Sequence, residues 1–204
     1  SVFPDEIALE LVPNHYEGLL SDSRYALSLN AGIRCINIPE MRSKEIKGHH
    51  AADHLLRHGV DAIPHFRTRE RSLSDLMALI APLVELGMKR VLLITGDPPK
   101  ENPSEAPLLT PIEAIPAIKK SFPELRVYVG VDPYRQSFRK EMDYCLRKMD
   151  AGADGFFSQP FFSVHLLELW LEQLRETEFW VGVSPVTTES FRKYWETTNR
   201  VVFP

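Results

Sequence analysis

Glu10 has the surroundings that most favour acid–base chemistry in this chain. It sits within the apolar run Ile-Ala-Leu-Glu-Leu-Val-Pro, residues 7–13, where an isolated carboxylate loses hydration unless it is paired or protonated. We therefore expect a raised pKa, which would keep the side chain protonated near neutral pH and let it act as a general acid. A structural glutamate, bonded to a neighbouring strand or to an arginine, is the alternative interpretation.

Two further segments combine polar groups with features that suit a ligand. In Ile-Thr-Gly-Asp-Pro-Pro, Gly96 permits a tight turn or the close approach of a ligand, and Asp97 presents a carboxylate. In Ser-Gln-Pro-Phe-Phe, Gln159 precedes an aromatic pair, and an amide beside aromatic faces suits a flat heterocycle. Taken singly, these segments also fit a generic turn and a pair of core aromatics.

Short apolar runs recur along the chain and predict the strands that would position these groups. The eight candidates are Ile7–Val12, Ile33–Ile38, Val60–Phe66, Val91–Thr95, Val127–Val131, Gly155–Gln159, Phe179–Val183 and Val201–Phe203. Amphipathic segments such as Leu73–Leu86 lie between them and predict helices. Apolar strands alternating with helices imply a buried parallel sheet, and eight such units favour one (βα)8 TIM-type barrel domain over residues 1–204. The last strand is the weakest, and an open doubly wound sheet is the alternative.

In such a barrel, catalytic groups lie where strands end and the following loops begin. The polar residues at those positions are Glu10, Glu40, His65, Arg67, Asp97, Asp132, Gln159 and Thr187. We therefore expect Glu10, Asp97 and Gln159 to lie around one pocket.

Composition excludes several classes of function. With 24 Lys and Arg against 28 Asp and Glu, the chain has a net charge of -4 and no basic tract, which argues against a nucleic-acid partner. No stretch approaches the roughly 20 apolar residues that span a bilayer, and the amino terminus lacks the pattern of a secretory signal. We expect a cytoplasmic protein without a membrane partner.

Cysteines and histidines do not form a convincing metal motif. Cys35 and Cys145 are far apart and are expected to be reduced, buried thiols. His50, His54 and His58 recur every four residues and would line one side of a helix as metal ligands. We favour a solvated helix face there, because the outer helices of a barrel are remote from its mouth.

Four segments, taken in order, resemble the methylenetetrahydrofolate reductase family. They are Leu-Glu-Leu-Val-Pro, Pro-His-Phe, Ile-Thr-Gly-Asp-Pro-Pro, and Ala-Gly-Ala-Asp followed by Ser-Gln-Pro-Phe-Phe. The resemblance implies a flavin-dependent barrel that passes hydride from NADH or NADPH, through FAD, to methylenetetrahydrofolate. It implies that Glu10 assists protonation of the folate, that Asp97 lies near flavin and folate, and that Gln159 and Phe161 contact the folate.

The same resemblance implies a set of residues around the FAD. They are His65, Thr95, Gly96, Asp97, Asp132, Arg135 and Lys148, with Lys148 as the partner of a phosphate. Thr95 departs from the arginine that the family usually places before Gly-Asp. The loop after the fifth strand also lacks the family's flavin-binding histidine, for which Arg135 or Arg139 would substitute. The family's late segment does not follow Pro204, which is expected either of a truncated chain or of a short, divergent member that needs a partner chain.

Three alternatives stay open at this stage. The first is a degenerate barrel that binds folate, or serves as a partner subunit, without FAD. The second is a flavin-free enzyme that passes hydride directly from the nicotinamide to the folate. The third is a metal-dependent lyase that uses Glu10, Asp97 and Asp132. In each folate case the partner is the small-molecule substrate, and we expect a homo-oligomer or a pairing with a partner chain.

Overall fold

The computed structural model describes residues 6–41 and 46–203. Strands and helices alternate along these residues as β1 (Ile7–Glu10), α1 (Tyr16–Leu29), β2 (Ile33–Ile38), α2 (Gly48–Arg57), β3 (Ala62–Arg67), α3 (Leu73–Glu85), β4 (Arg90–Ile94), α4 (Pro111–Ser121), β5 (Arg126–Val131), α5 (Phe138–Asp150), β6 (Gly155–Pro160), α6 (Val164–Gln173), β7 (Glu178–Gly182) and α7 (Glu189–Thr198). The chain divides into two compact units, Ser1–Val127 and Tyr128–Pro204.

In the first unit, β1 to β4 are parallel neighbours in chain order. The apolar residues of α2 pack against this sheet, with Ala51 and Leu55 fully buried. Phe66 of β3 stacks on His49 of α2, with ring centres 6.3 Å apart. Because successive side chains of a strand point to opposite faces, the neighbouring His65 faces away from α2.

Helix α3 shows how local sequence sets an element of this unit. Ser72 caps its first turn by accepting a hydrogen bond from the backbone N–H of Asp75, at 3.1 Å. The helix buries Leu76, Ile80 and Leu83 at helical spacing. The prediction of a helix over residues 73–86 is therefore confirmed to within one residue.

In the second unit, β6 and β7 and the part of β5 from Tyr128 onward are again parallel neighbours in chain order. Its core is aromatic: Trp170 of α6 is fully buried and meets Phe138 of α5 edge-on, with ring centres 5.0 Å apart. Tyr128 of β5 is also fully buried and packs edge-on against Phe157, at 5.1 Å.

The predicted α/β class is confirmed, and the strand order within each unit agrees with a barrel. An open doubly wound sheet reverses its strand order at a switch point, and neither unit contains such a reversal among its described strands. Seven strands are present in residues 6–41 and 46–203, so the eight-stranded prediction is confirmed only in part.

The eighth predicted strand, Val201–Phe203, is wrong. The N–H of Val201 donates to the carbonyl of Trp195 at 3.1 Å, so this backbone closes the end of α7 instead of extending a sheet. Arg200, just before it, has a φ of 57°, which turns the chain out of the helix. Phe203 then packs against Phe162, with ring centres 4.9 Å apart.

The structure also bears on the expectations for the cysteines, for the histidines of α2 and for membrane-spanning helices. Cys35 and Cys145 are free and fully buried, as predicted. The ring of His54 on α2 lies 4.6 Å from that of His58, which caps the end of the helix. Within the described ranges, no three His, Cys, Asp or Glu side chains are grouped to hold a metal. None of the described helices has the length and apolar composition of a membrane-spanning segment.

Candidate functional site

Three polar side chains lie on one face of the first unit's sheet, and we call Glu10, Asn37 and His65 the polar row. Glu10 is paired in register with Asn37, and Asn37 with Ile63, two residues before His65. Registered partners in parallel strands project to the same face, as do alternate residues of one strand. The polar row therefore lies on the face of the sheet that turns away from α2.

Glu10 ends β1 and is exposed to solvent. The apolar run around it in the sequence predicts a more enclosed side chain. The protein atoms around its carboxyl nevertheless remove part of its hydration and raise its pKa above the usual value. The direction is the one predicted. Among the described residues, no Lys, Arg or His side chain forms an ion pair with Glu10, and burial is the cause of the raised pKa.

Asn37 and His65 are both buried, each with only 8% of its surface exposed. Within the described part of the chain, the Oδ1 of Asn37 and the Nε2 of His65 have no hydrogen-bond partner. Burial lowers the pKa of His65 to about 4, so its imidazole is neutral at neutral pH. Sequence reasoning missed Asn37, although its position within Cys-Ile-Asn-Ile gives the same signal as Glu10, a polar residue inside an apolar strand.

Arginines alternate from the last residue of β3 into the loop after it, in Arg-Thr-Arg-Glu-Arg, and we call Arg67, Arg69 and Arg71 the arginine clamp. The carboxylate of Glu40 accepts hydrogen bonds from the backbone N–H of Arg67, at 2.6 Å, and from Nη1 of Arg71, at 2.7 Å. The Nη2 of Arg71 donates to the other oxygen of the same carboxylate. This bidentate pair joins the end of β2 to the loop after β3.

The rest of the clamp holds the loop that follows β4. Nε of Arg69 donates to the carbonyl of Gly96 at 3.0 Å, and Nη1 to that of Glu105 at 2.5 Å. Nη2 of Arg67 donates to the carbonyl of Asp97 at 3.0 Å. Backbone contacts thus fix this loop and leave the Asp97 side chain exposed. Sequence reasoning named Arg67 but missed Arg69 and Arg71, whose alternation directly after a strand was the available signal.

The space next to Gly96 bears on whether the first unit could hold an FAD. The glycine has a φ of 86°, and a Cβ at this position would lie 2.5 Å from Cζ of Arg67 and 2.8 Å from its Nη2. The space that the missing side chain leaves is therefore filled by the Arg67 guanidinium. Next to it, Thr95 is half-buried and its carbonyl accepts the N–H of Arg69 at 3.1 Å.

In the second unit, the groups that the family resemblance assigns to FAD also have partners within the chain. Lys148 is 3% exposed and donates through Nζ to the carbonyl of Gly130 at 2.7 Å. Its Nζ lies 3.9 Å from the centre of the Tyr144 ring, and burial lowers its pKa to about 8. Nη2 of Arg135 donates to the buried Glu141 carboxylate at 2.6 Å.

Asp132 likewise makes local contacts. Its Oδ1 accepts the N–H of Tyr134 at 2.9 Å, and burial raises its pKa. Of the residues assigned to FAD, His65 keeps an unpartnered polar atom, whereas Lys148 and Arg135 are bonded within the protein. In these bonded positions, the residues present do not fit a flavin.

Gln159 and Phe161 lie at the end of β6 in the second unit. Gln159 is exposed, and Phe161 is half-buried against Phe179, with ring centres 6.4 Å apart. An exposed amide beside an aromatic pair is the local arrangement that the sequence predicts. Their meeting with Glu10 and Asp97 around one ligand stays a prediction.

Comparison with known proteins connects the chain to one sequence family. The family model described as methylenetetrahydrofolate reductase matches residues 40–198. His65, Asp97 and Gln159 lie within this range, whereas Glu10 and Asn37 precede it. No curated protein matches the chain in sequence.

Solved structures similar to the chain share its fold at low sequence identity. An uncharacterized protein from Clostridium thermocellum, described as binding two copies of 5-methyl-5,6,7,8-tetrahydrofolic acid, has a TM-score of 0.67 and 13% identity, over 98% of this chain and 72% of that one. A 2,3-dimethylmalate lyase of the PEP mutase/isocitrate lyase superfamily has a TM-score of 0.64 and 14% identity, over 93% and 71%. A deoxyribose-phosphate aldolase homologue from Coccidioides immitis has a TM-score of 0.59 and 12% identity, over 87% and 71%. At these identities the likeness shows the fold alone.

Proposed function

The chain belongs to the methylenetetrahydrofolate reductase family, and we propose that it binds a reduced folate at the polar row and catalyses hydride transfer to methylenetetrahydrofolate. The observation that carries the proposal is Glu10, a carboxyl with a raised pKa at the end of a strand, on the same face as Asn37 and His65, whose Oδ1 and Nε2 have no hydrogen-bond partner in the described part of the chain. A general acid, a hydrogen-bonding face and membership of the family are all consistent with the reduction of methylenetetrahydrofolate.

The proposed reaction uses the proton of Glu10 first. Methylenetetrahydrofolate is a cyclic aminal, so protonation of one ring nitrogen lets its bond to the methylene carbon break and leaves an iminium on the other nitrogen. Hydride addition to that carbon then gives the methyl group. An acid that is still protonated near neutral pH suits the first step, since the proton must be present when the carbon–nitrogen bond opens.

The hydride donor in this proposal is NADH or NADPH, acting directly on the folate. The contacts of Arg67 with Gly96 and of Lys148 with Gly130 favour this version over one in which a flavin relays the hydride. The exposed Asp97 carboxylate, on a loop held by the arginine clamp, is then free to orient the positively charged ring of the oxidised nicotinamide as it forms.

Replacement of Glu10 by glutamine tests the assignment. General acid catalysis typically contributes about 10²- to 10⁴-fold, or about 3 to 5 kcal/mol of barrier, so Glu10→Gln should lower kcat by that factor while the Kd for 5-methyltetrahydrofolate changes little. Wild-type turnover should also fall as pH rises through the pKa of Glu10. Glu17→Gln, an exposed carboxylate on α1, is the matched control and should keep wild-type turnover. Unchanged turnover in Glu10→Gln would remove the acid from the mechanism.

A second candidate is folate binding without catalysis. The similar protein from Clostridium thermocellum is described by its binding of 5-methyl-5,6,7,8-tetrahydrofolic acid, and this supports a binding role for the same fold. Calorimetric titration with 5-methyltetrahydrofolate, beside an assay of NADH or NADPH oxidation with methylenetetrahydrofolate, separates the two. Tight binding with no nicotinamide oxidation would favour the second candidate.

A further inference from the structure

We propose that Asn37 and His65 form the recognition edge for the pterin ring, through Asn37 Oδ1 and His65 Nε2, two buried atoms that have no hydrogen-bond partner among the described residues. The inference rests on the proposed function and deepens it, because it names the groups that would select the heterocycle. None of the sequence motifs singles out Asn37, and it lies outside the residues that match the family.

The position of the two side chains carries the argument. Asn37 is the registered neighbour of Glu10 on the adjacent strand, and neighbouring strands lie about 4.8 Å apart. A ring whose nitrogen reaches the Glu10 carboxyl therefore also lies within reach of the Asn37 amide. His65 follows on the next strand, on the same face and toward the carboxyl end.

The chemistry of the unpartnered atoms matches a pterin. Asn37 Oδ1 is a hydrogen-bond acceptor, and the aminopyrimidinone half of a pterin presents N–H donors. The neutral imidazole of His65 offers at Nε2 either an N–H or a lone pair, depending on its tautomer, and the same half of the pterin carries both a carbonyl oxygen and N–H groups. A buried polar atom without a partner destabilises the free protein, so a ligand that satisfies it gains binding energy.

Other buried atoms in the described residues also have no partner, including Ser23 Oγ on α1 and Trp170 Nε1 on α6. Such an atom alone therefore does not mark a site. Asn37 and His65 differ from these because both lie on the face that carries the candidate acid, one of them directly beside it. Ser23 is for the same reason a useful control.

The test is Asn37→Leu, which replaces the amide by an apolar group of similar size. A recognition role predicts that affinity and stability change in opposite directions. The Kd for 5-methyltetrahydrofolate should rise at least tenfold, which is a loss of affinity. The Tm of the free protein should also rise, which is a gain in stability, because an unsatisfied buried group is gone. Ser23→Ala should leave the Kd unchanged. An asparagine that holds the fold together would give the reverse for stability, and a lowered Tm or loss of folding in Asn37→Leu would overturn the proposal.

Two further outcomes separate this inference from the proposed function. If the wild-type protein binds 5-methyltetrahydrofolate and Asn37→Leu binds it equally well, the recognition edge is refuted while the folate function stands. If the wild-type protein neither binds the folate nor turns over methylenetetrahydrofolate, the proposed function fails and the inference fails with it. As a second measurement on the wild-type protein, saturating folate should shift the ¹⁵N resonances of the His65 ring, and unmoved resonances would exclude His65 from the edge.

Discussion

The neutral, buried state of His65 makes the stability of this protein dependent on pH in the acid range. The folded-state pKa is about 4, against about 6.5 for a histidine in an unfolded chain. Between these values the unfolded chain binds a proton that the folded chain does not bind, so lowering the pH favours unfolding. Integrated from pH 7 to pH 5, this single group removes about 2 kcal/mol from the free energy of unfolding.

Urea denaturation at pH 7 and pH 5 measures this loss. Wild-type protein should lose about 2 kcal/mol more between the two pH values than His65→Gln, which cannot take up the proton. His49, whose pKa burial also lowers to about 4, contributes equally to both proteins and cancels in the difference. The exposed His58, replaced in His58→Gln, should keep the wild-type dependence. An equal loss in wild type and His65→Gln would refute the assignment of a neutral, desolvated imidazole.

Two further predictions concern the arginine clamp and the flavin. Arg71→Met should lower the free energy of unfolding by about 3 kcal/mol in urea denaturation, because it leaves the Glu40 carboxylate, 9% exposed, without its ionic partner. The control Arg57→Met breaks an exposed pair with Asp53 and should change the free energy of unfolding little. An equally small change in Arg71→Met would contradict the role of the clamp. Purified protein titrated with FAD should show no saturable change in flavin absorbance or fluorescence, since Arg67, Lys148 and their neighbours are already bonded; saturable binding would return the flavin to the mechanism.

The strands were predictable because their signal is local. β2 was predicted with the bounds that it has, since an apolar run of that length needs only its own sequence to be identified as a buried strand. Val201–Phe203 carries the same signal and was assigned wrongly. The N–H of Val201 donates to the carbonyl of Trp195 near the end of α7, and the periodicity of the sequence does not reveal this hydrogen bond.

The site was predictable only where one residue contrasts with its neighbours. Glu10 stands out as a charge inside an apolar run, but its exposure depends on what surrounds β1 in three dimensions. Lys148 matches a family motif, and yet its ammonium turns to the carbonyl of Gly130, which lies on a strand 18 residues earlier. Pairings of this kind join distant parts of the chain, so the sequence names the candidates and the fold decides which of them stay free.

Because the Arg67 guanidinium contacts Gly96, a substitution at one of these two positions constrains the residue at the other. Any side chain at position 96 would collide with the guanidinium, and a displaced guanidinium would release both the carbonyl of Asp97 and the carboxylate of Glu70. A homologue with alanine or serine at the position of Gly96 should therefore carry a shorter residue at the position of Arg67.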